Sequence, residues 1–356
     1  MTAGARRFAG DALGAIADLG VLVPLAAALV LVVGLDGGMV LIGAGAMYIS
    51  AGVRFGIPFP VQPLKALTAV AVARGLGADV VAAAGITIGA VLLVVSLGGT
   101  ADRLARWFSH TTVRALQLGV GVLLVISAVR LVVDPPAVFA APPPGAPVLA
   151  PLPVPGLPGL AAFATAAVLL VLPQLPLTFG NAVVAVTDVA RRAFGQRVAA
   201  VTPSAVCRHA GVGNLLVAAA GGMPMCHGSS GLTAHHRLGA RTAAMNYGLG
   251  ASLVAIGVLY GDRAPAVLGQ LPVVALAALL AYAGARHALL IADLRGAALA
   301  VAVLAGTAGA ATGNLLITLI LALAAQPFRR GAAASPRALP HDRTATGGGD
   351  PTARRR

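Results

Sequence analysis

Apolar runs recur along nearly the whole chain, broken by short stretches of glycine, proline and charge. A membrane-spanning helix needs about 20 apolar residues, fewer where the segment is interrupted. The pattern predicts spans at 12–33, 39–55, 61–74, 80–97, 113–133, 160–190, 205–221, 225–238, 243–260, 264–285 and 297–325. The last is interrupted at 306–313 and reads as a hairpin of two short helices. The expected fold class is an all-α polytopic membrane protein with about 10–12 transmembrane segments.

Two of these spans are defective as helices. The first opens on Phe55-Gly-Ile-Pro-Phe-Pro-Val-Gln-Pro-Leu-Lys65-Ala. Its prolines at 58, 60 and 63 exclude a regular helix. Pro63 suits the first position of a helix, with Gln62 as its capping neighbour. The second, 222–232, reads Gly-Met-Pro-Met-Cys-His-Gly-Ser-Ser-Gly-Leu. It too is an extended stretch ending in a helix start, with Ser229 or Ser230 as N-cap. Irregular backbone at membrane depth is tolerated only where it is buried in protein or lines a cavity. Matching breaks in two halves of a chain point to a transport site.

Composition fits this reading. Hydrophobic residues make up 58% of the chain and charged residues 10%, against about 25% charged in soluble domains. Lipid is therefore the expected solvent. The net charge of +14 invites a nucleic-acid partner. Its distribution excludes one: the arginines sit in short clusters between apolar runs and in the tail, as charges that orient membrane helices do. These clusters are Arg103, Arg106 and Arg114; Arg191, Arg192 and Arg197; Arg237 and Arg241; Arg286 and Arg295; and Arg329 and Arg330. The segment 134–158 is Pro-rich and has neither Lys nor Arg. Placing both termini and the clusters in the cytoplasm puts this loop outside. Span 12–33 then runs opposite to 160–190, and 61–74 opposite to 225–238. The expectation is two inverted repeats, 10–133 and 160–325, joined by loop 134–158 within a transport domain 1–326. A basic tail, 327–356, reads as disordered. Arg6 and Arg7 before an apolar run imitate a signal peptide, but the run continues to Val33 and reads as the first span. Cys207 and Cys226 form no metal-binding spacing, so no metal or cofactor is implied. The Arg- and Ala-rich composition points to a bacterial inner membrane.

The opposed half-helices would aim both N-termini at a shared midplane. Each end carries roughly half a positive charge and unpaired N–H groups, which suits an anion. Lys65, the only lysine of the chain, lies in the first turn of the first half-helix. A charge at bilayer depth is a functional candidate by default; the alternative is snorkelling to an interface or pairing with Asp18. Asp18 itself reads as a proton-coupling site or a structural cap. Gln174, Thr178 and Asn181 would either contact an oxyanion or satisfy backbone freed by Pro173 and Pro176. His227 would donate to an anion, couple to protons or serve as a structural histidine. His235, His236, Arg237 and Arg241 read as a cytoplasmic face. Cys226 beside His227 lacks an orienting third group, so no enzyme is expected.

Four stretches carry a family resemblance: Gly14–Leu25, Phe55–Ala66 (FGIPFPVQPLKA), Pro173–Val186 (PQLPLTFGNAVVAV) and Gly213–Gly239, which contains MPMCHGSSGLTAHHRLG. Through them the chain resembles the molybdate transporter family, distant relatives of the sulfate permeases. The resemblance implies molybdate uptake and the fold of sulfate and uracil permeases, with substrate between two half-helices preceded by short strands. Carried over, it implies substrate contacts from Gln62, Pro63 and Lys65, from His227, Gly228, Ser229 and Ser230, and from Gln174, Thr178 and Asn181. Two departures stand out. Half one is shorter than the seven-segment repeat of sulfate permeases, and Ser229-Ser230-Gly231 replaces the Ala-Gly-Gly of some relatives. The absence of a GxxxxGK[ST] motif argues for secondary transport. A sulfate transporter, a nucleobase permease or a non-transporting anion receptor are the alternatives, although the chain has no glutamate for a base edge. Assembly is left open, a homodimer included.

Overall fold

A computed structural model describes residues 3–147, 149 and 156–326, and they are almost entirely helical. The expected tail 327–356 lies outside the described residues. In chain order the elements are α1 (Gly4–Val33), α2 (Gly37–Phe55), β1 (Gln62–Pro63), α3 (Lys65–Ala73), α4 (Ala78–Val95), the short α5 (Thr100–Ala105) and α6 (His110–Val133). After the Pro-rich segment come α7 (Leu160–Phe194), α8 (Pro203–Ala219), β2 (Met225–Cys226), α9 (Ser229–Arg237), α10 (Ala244–Gly269), α11 (Val273–Asp293), α12 (Gly296–Thr312) and α13 (Leu315–Ala324). Seven of them, α1, α2, α4, α6, α7, α10 and α11, are long and apolar enough to cross a membrane.

Some boundaries differ from the sequence pattern, each for a local reason. The expected span 264–285 is divided, because Pro272 caps α11 and lacks the N–H that would continue a helix. Residues 264–269 instead close α10, after a turn at Gly261 where φ is +53°. The terminal hairpin forms as α12 and α13, turning at Gly313 (φ +65°), with Asn314 Oδ1 accepting the Leu316 N–H at 3.0 Å. Spans 61–74 and 225–238 are each a two-residue strand followed by a nine-residue helix. α7 keeps Pro173 and Pro176 inside one 35-residue helix by shifting to π-type turns at Ala167–Val171 and Thr178–Ala185. Such turns absorb the hydrogen bonds that proline cannot make.

Helices meet where glycine faces glycine. α2 packs on α10, α4 on α8, and α6 on α11. A Cβ at Gly250 would lie 2.7 Å from the Gly45 carbonyl, one at Gly89 2.9 Å from that of Gly211, and one at Gly284 2.7 Å from that of Gly121. In lipid the aqueous hydrophobic drive between helices is absent, so close backbone packing of this kind holds them together.

Candidate functional site

The two broken segments meet. β1 and β2 pair antiparallel, Gln62 opposite Cys226 and Pro63 opposite Met225. The Leu64 N–H extends the contact to the Pro224 carbonyl at 3.2 Å. The rest of the irregular backbone is satisfied by buried side chains. Asn246 of α10 accepts the Phe59 N–H at 2.9 Å and donates to the Phe59 carbonyl at 2.7 Å. Asn214 of α8 does the same for Met225, at 2.7 Å in both directions. His235 Nδ1 lies 2.8 Å from the Pro58 carbonyl, and His227 Nδ1 lies 2.8 Å from that of Pro60. This accounting is what burial of non-helical backbone demands.

Several expectations change here. Pro63 lies in the strand, not in the helix: α3 begins at Lys65 with Leu64 as N-cap, because Pro63 is already committed to pairing with Met225. Neither Ser229 nor Ser230 is the N-cap of α9. Gly228 takes that position, since a Cβ there would collide with the Gln62 side chain. His235 does not belong to a cytoplasmic face. It is fully buried, its Nε2 3.0 Å from Asp18 Oδ2. Asp18 is also 99% buried, and accepts from Tyr48 Oη at 2.6 Å and from Gln62 Nε2 at 2.7 Å. Lys65 does not pair with Asp18 directly; its Nζ donates to Gln62 Oε1 at 3.1 Å. Gln62 therefore bridges the lysine and the carboxylate.

Beside this junction lies a cavity of about 650 Å³. Lys65 and Ala66 of α3, Gln174, Thr178 and Asn181 of α7, and Cys226 form its inner wall. It extends past Leu124 to Arg130, Asp134 and Pro136 near the C-terminal end of α6. A smaller recess of about 10 Å³, lined by Asp18, Gln62, Ser230 and Gly231, shares Val21, Leu124 and Leu280 with the cavity wall. Ser230 Oγ is buried there with no hydrogen-bond partner among the described residues.

The inner wall offers hydrogen-bond donors. Gln174 Oε1 accepts the Leu67 N–H of α3 at 2.9 Å, and its Nε2 donates to Thr178 Oγ1 at 3.0 Å. The Thr178 hydroxyl hydrogen is thereby left to donate elsewhere. Ser229 Oγ donates to Asn181 Oδ1 at 2.6 Å, which leaves the Asn181 NH₂ available. Lys65 keeps two further N–H groups. Among the described residues the only acid in the cavity lining is Asp134, at the C-terminal end of α6. His227 is set behind this wall. Its Nε2 lies 2.9 Å from His209 Nδ1, and it packs edge-on against Phe59. It does not line the cavity. Ser229, Ser230 and Gly228 sit at the start of α9, facing Asn181, the recess and Gln62 respectively.

The pattern of the family described as "Molybdate transporter of MFS superfamily" matches residues 10–124 and 166–287. The chain belongs to the molybdate transporter family. The match takes in both broken segments and most of α7. As a member of that family the protein is an integral membrane transporter, not an enzyme. Among its relatives are Molybdate transporter 2 and Molybdate transporter 1 of Arabidopsis thaliana. Each is 26% identical and covers 79% of this chain, with 78% and 79% of the relatives' own lengths. Molybdate transporter 1 of Chlamydomonas reinhardtii is 40% identical over 117 residues, 32% of this chain and 22% of its own. Among solved structures, the transmembrane domain of the cyanobacterial bicarbonate transporter BicA shares the fold, with a TM-score of 0.55 at 16% identity. The match covers 89% of this chain and 97% of that domain. This molybdate transporter family member thus shares its fold with the BicA transmembrane domain.

Proposed function

We propose that this protein carries molybdate across a membrane by secondary transport, the anion lodging in the cavity beside the start of α3. The observation that carries the reading is the character of the inner wall. Lys65, the Thr178 hydroxyl and the Asn181 amide converge from two helices on one space, and Asp134 is the only acid among its described lining residues. Charge-assisted donors in a site shielded from water are what a small oxyanion requires. The amides of Lys65 and Ala66 add the unpaired N–H groups of a helix start. Gln62 acts from behind, orienting Lys65. Ser229 orients Asn181, Ser230 lines the recess, and Gly228 leaves room for the Gln62 side chain. His227 and Pro63 serve the backbone junction rather than the anion.

The helix pairing supports two inverted repeats. With α7 to α11 set against α1 to α6, exchanging the halves turns the α2–α10 contact into the α4–α8 contact and leaves α6–α11 in place. With both termini in the cytoplasm of a bacterial inner membrane, the cavity would open outward, toward the Pro-rich side.

The test is uptake of labelled molybdate at low concentration by a transport-deficient cell expressing the protein. Uptake that survives a large excess of sulfate is expected. Abolition by modest sulfate would reassign the protein to sulfate, the other tetrahedral dianion. Binding without uptake would make it a receptor.

A further inference from the structure

His287 of α11 lies one layer behind the cavity wall and is fully buried. Its Nε2 is 3.1 Å from Ser229 Oγ and its Nδ1 is 2.9 Å from Thr233 Oγ1. Thr233 Oγ1 in turn donates to the Ser229 carbonyl at 3.1 Å. Ser229 Oγ donates to Asn181 Oδ1 at 2.6 Å, and Asn181 lines the cavity. An unbroken chain thus runs from the cavity through Asn181 and Ser229 to His287 and Thr233.

Counting hydrogens along this chain separates two protonation states. The four contacts need one hydrogen each. Ser229 and Thr233 supply one apiece, and a neutral imidazole supplies one more. That leaves one contact without a hydrogen. An imidazolium supplies two and completes the set: Nδ1–H to Thr233, Nε2–H to Ser229, Ser229 to Asn181, Thr233 to the backbone. A neutral His287 completes the set only if the Asn181 amide turns over, so that its NH₂ donates to Ser229 and its carbonyl faces the cavity. The 2.6 Å separation suits an O–H···O bond and is short for N–H···O. The two arrangements differ in what the anion meets: a donor in one, a lone pair in the other.

We propose that the oxyanion and a proton bind together, the proton on His287, with Ser229 and the orientation of the Asn181 amide linking the two sites. The proposal rests on the reading of the cavity as the oxyanion site. An enclosed imidazolium needs a counter-anion. Among the described residues the charged groups acting on His287 are both cations, Lys65 from α3 and Arg114 from α6. Arg114 is answered by Asp188 and Asp293, and from α1 Asp18 is already held by Tyr48, Gln62 and His235. No carboxylate hydrogen-bonds His287 among the described residues. A dianion beside Asn181 and Lys65 supplies the missing charge, and the proton on His287 halves the net charge that has to cross with it.

The experiment uses the purified full-length transporter in detergent, with a pH indicator in weak buffer and molybdate as the added ligand. Wild type should take up about one proton per bound molybdate, and its Kd should weaken as pH rises, by at most about tenfold per unit. His287→Gln should bind with the wild-type alkaline-limit affinity at every pH and take up no proton. Ser229→Ala, which cuts the chain but keeps His287, should also lose most of the proton uptake. Molybdate binding by wild type without proton uptake overturns the proposal and leaves the transport reading standing. So does proton uptake that persists undiminished in His287→Gln or Ser229→Ala. Wild type that binds no molybdate at all would sink both.

Discussion

At the scale of single residues, the proposed site can be tested one side chain at a time. Lys65 is the cation of the inner wall. Lys65→Ala should weaken molybdate affinity by about 10- to 100-fold, since a charge-assisted hydrogen bond is worth about 1.5–3 kcal/mol. Protein abundance should be unchanged, and concentration-dependent uptake normalised to it checks this. Lys65→Arg should not restore it, because a planar guanidinium cannot take the ammonium's place against Gln62 Oε1. Asn214 and Asn246 are different: they touch backbone and do not line the cavity. Asn214→Leu would leave the Met225 N–H and carbonyl buried without partners, at about 1–3 kcal/mol for each group. A clear loss of thermal stability in detergent, with no selective effect on affinity in the surviving protein, is the expected result.

At the scale of elements, the apolar runs, the two broken segments and the terminal hairpin were legible from the sequence, because glycine, proline and long apolar windows act locally. Lys65, Gln174, Thr178 and Asn181 were legible too, as polar groups inside apolar spans. Asn214, Asn246, His235 and His287 were missed as site or junction residues, although each is a polar residue in a helix at membrane depth. Their roles depend on which distant backbone or hydroxyl they meet, and spacing along the chain carries no such information. The helix starts were misplaced for a related reason. Pro63 and Ser229 have good local credentials, but the β1–β2 pairing and the Gln62 side chain override them. That contact sets a further expectation. A Cβ at Gly231 would stand 2.6 Å from Gln62 Nε2 and 2.8 Å from Asp18 Oδ1. Gly231→Ala should force the half-helices apart and abolish uptake, while Gly248→Ala, which meets open space, should transport as wild type does.

At the scale of the whole molecule, Asn181 of α7 lines the cavity, and seven residues further along the same helix Asp188 joins a charge network in which Arg114 is buried and its aspartates are partly exposed. Arg114, 1% exposed, meets Asp293 at 2.6 and 2.9 Å and Asp188 at 3.0 Å, tying α6 to α7 and to the end of α11. Arg192 reaches both aspartates, at 2.9 and 3.1 Å. Removing the partners of a buried cation leaves its charge unanswered, whereas replacing the whole set is often neutral. Asp188→Asn with Asp293→Asn should therefore lower the unfolding temperature. Adding Arg114→Leu to that pair should recover much of the loss, as thermal scans of the variants would register. The solitary lysine has a practical consequence of another kind. An amine-selective acylating reagent has a single side-chain target in this protein, and that target stands in the cavity wall. The rate at which intact mass rises under such a reagent, and its slowing by added oxyanion, would report occupancy of an unmutated transporter directly.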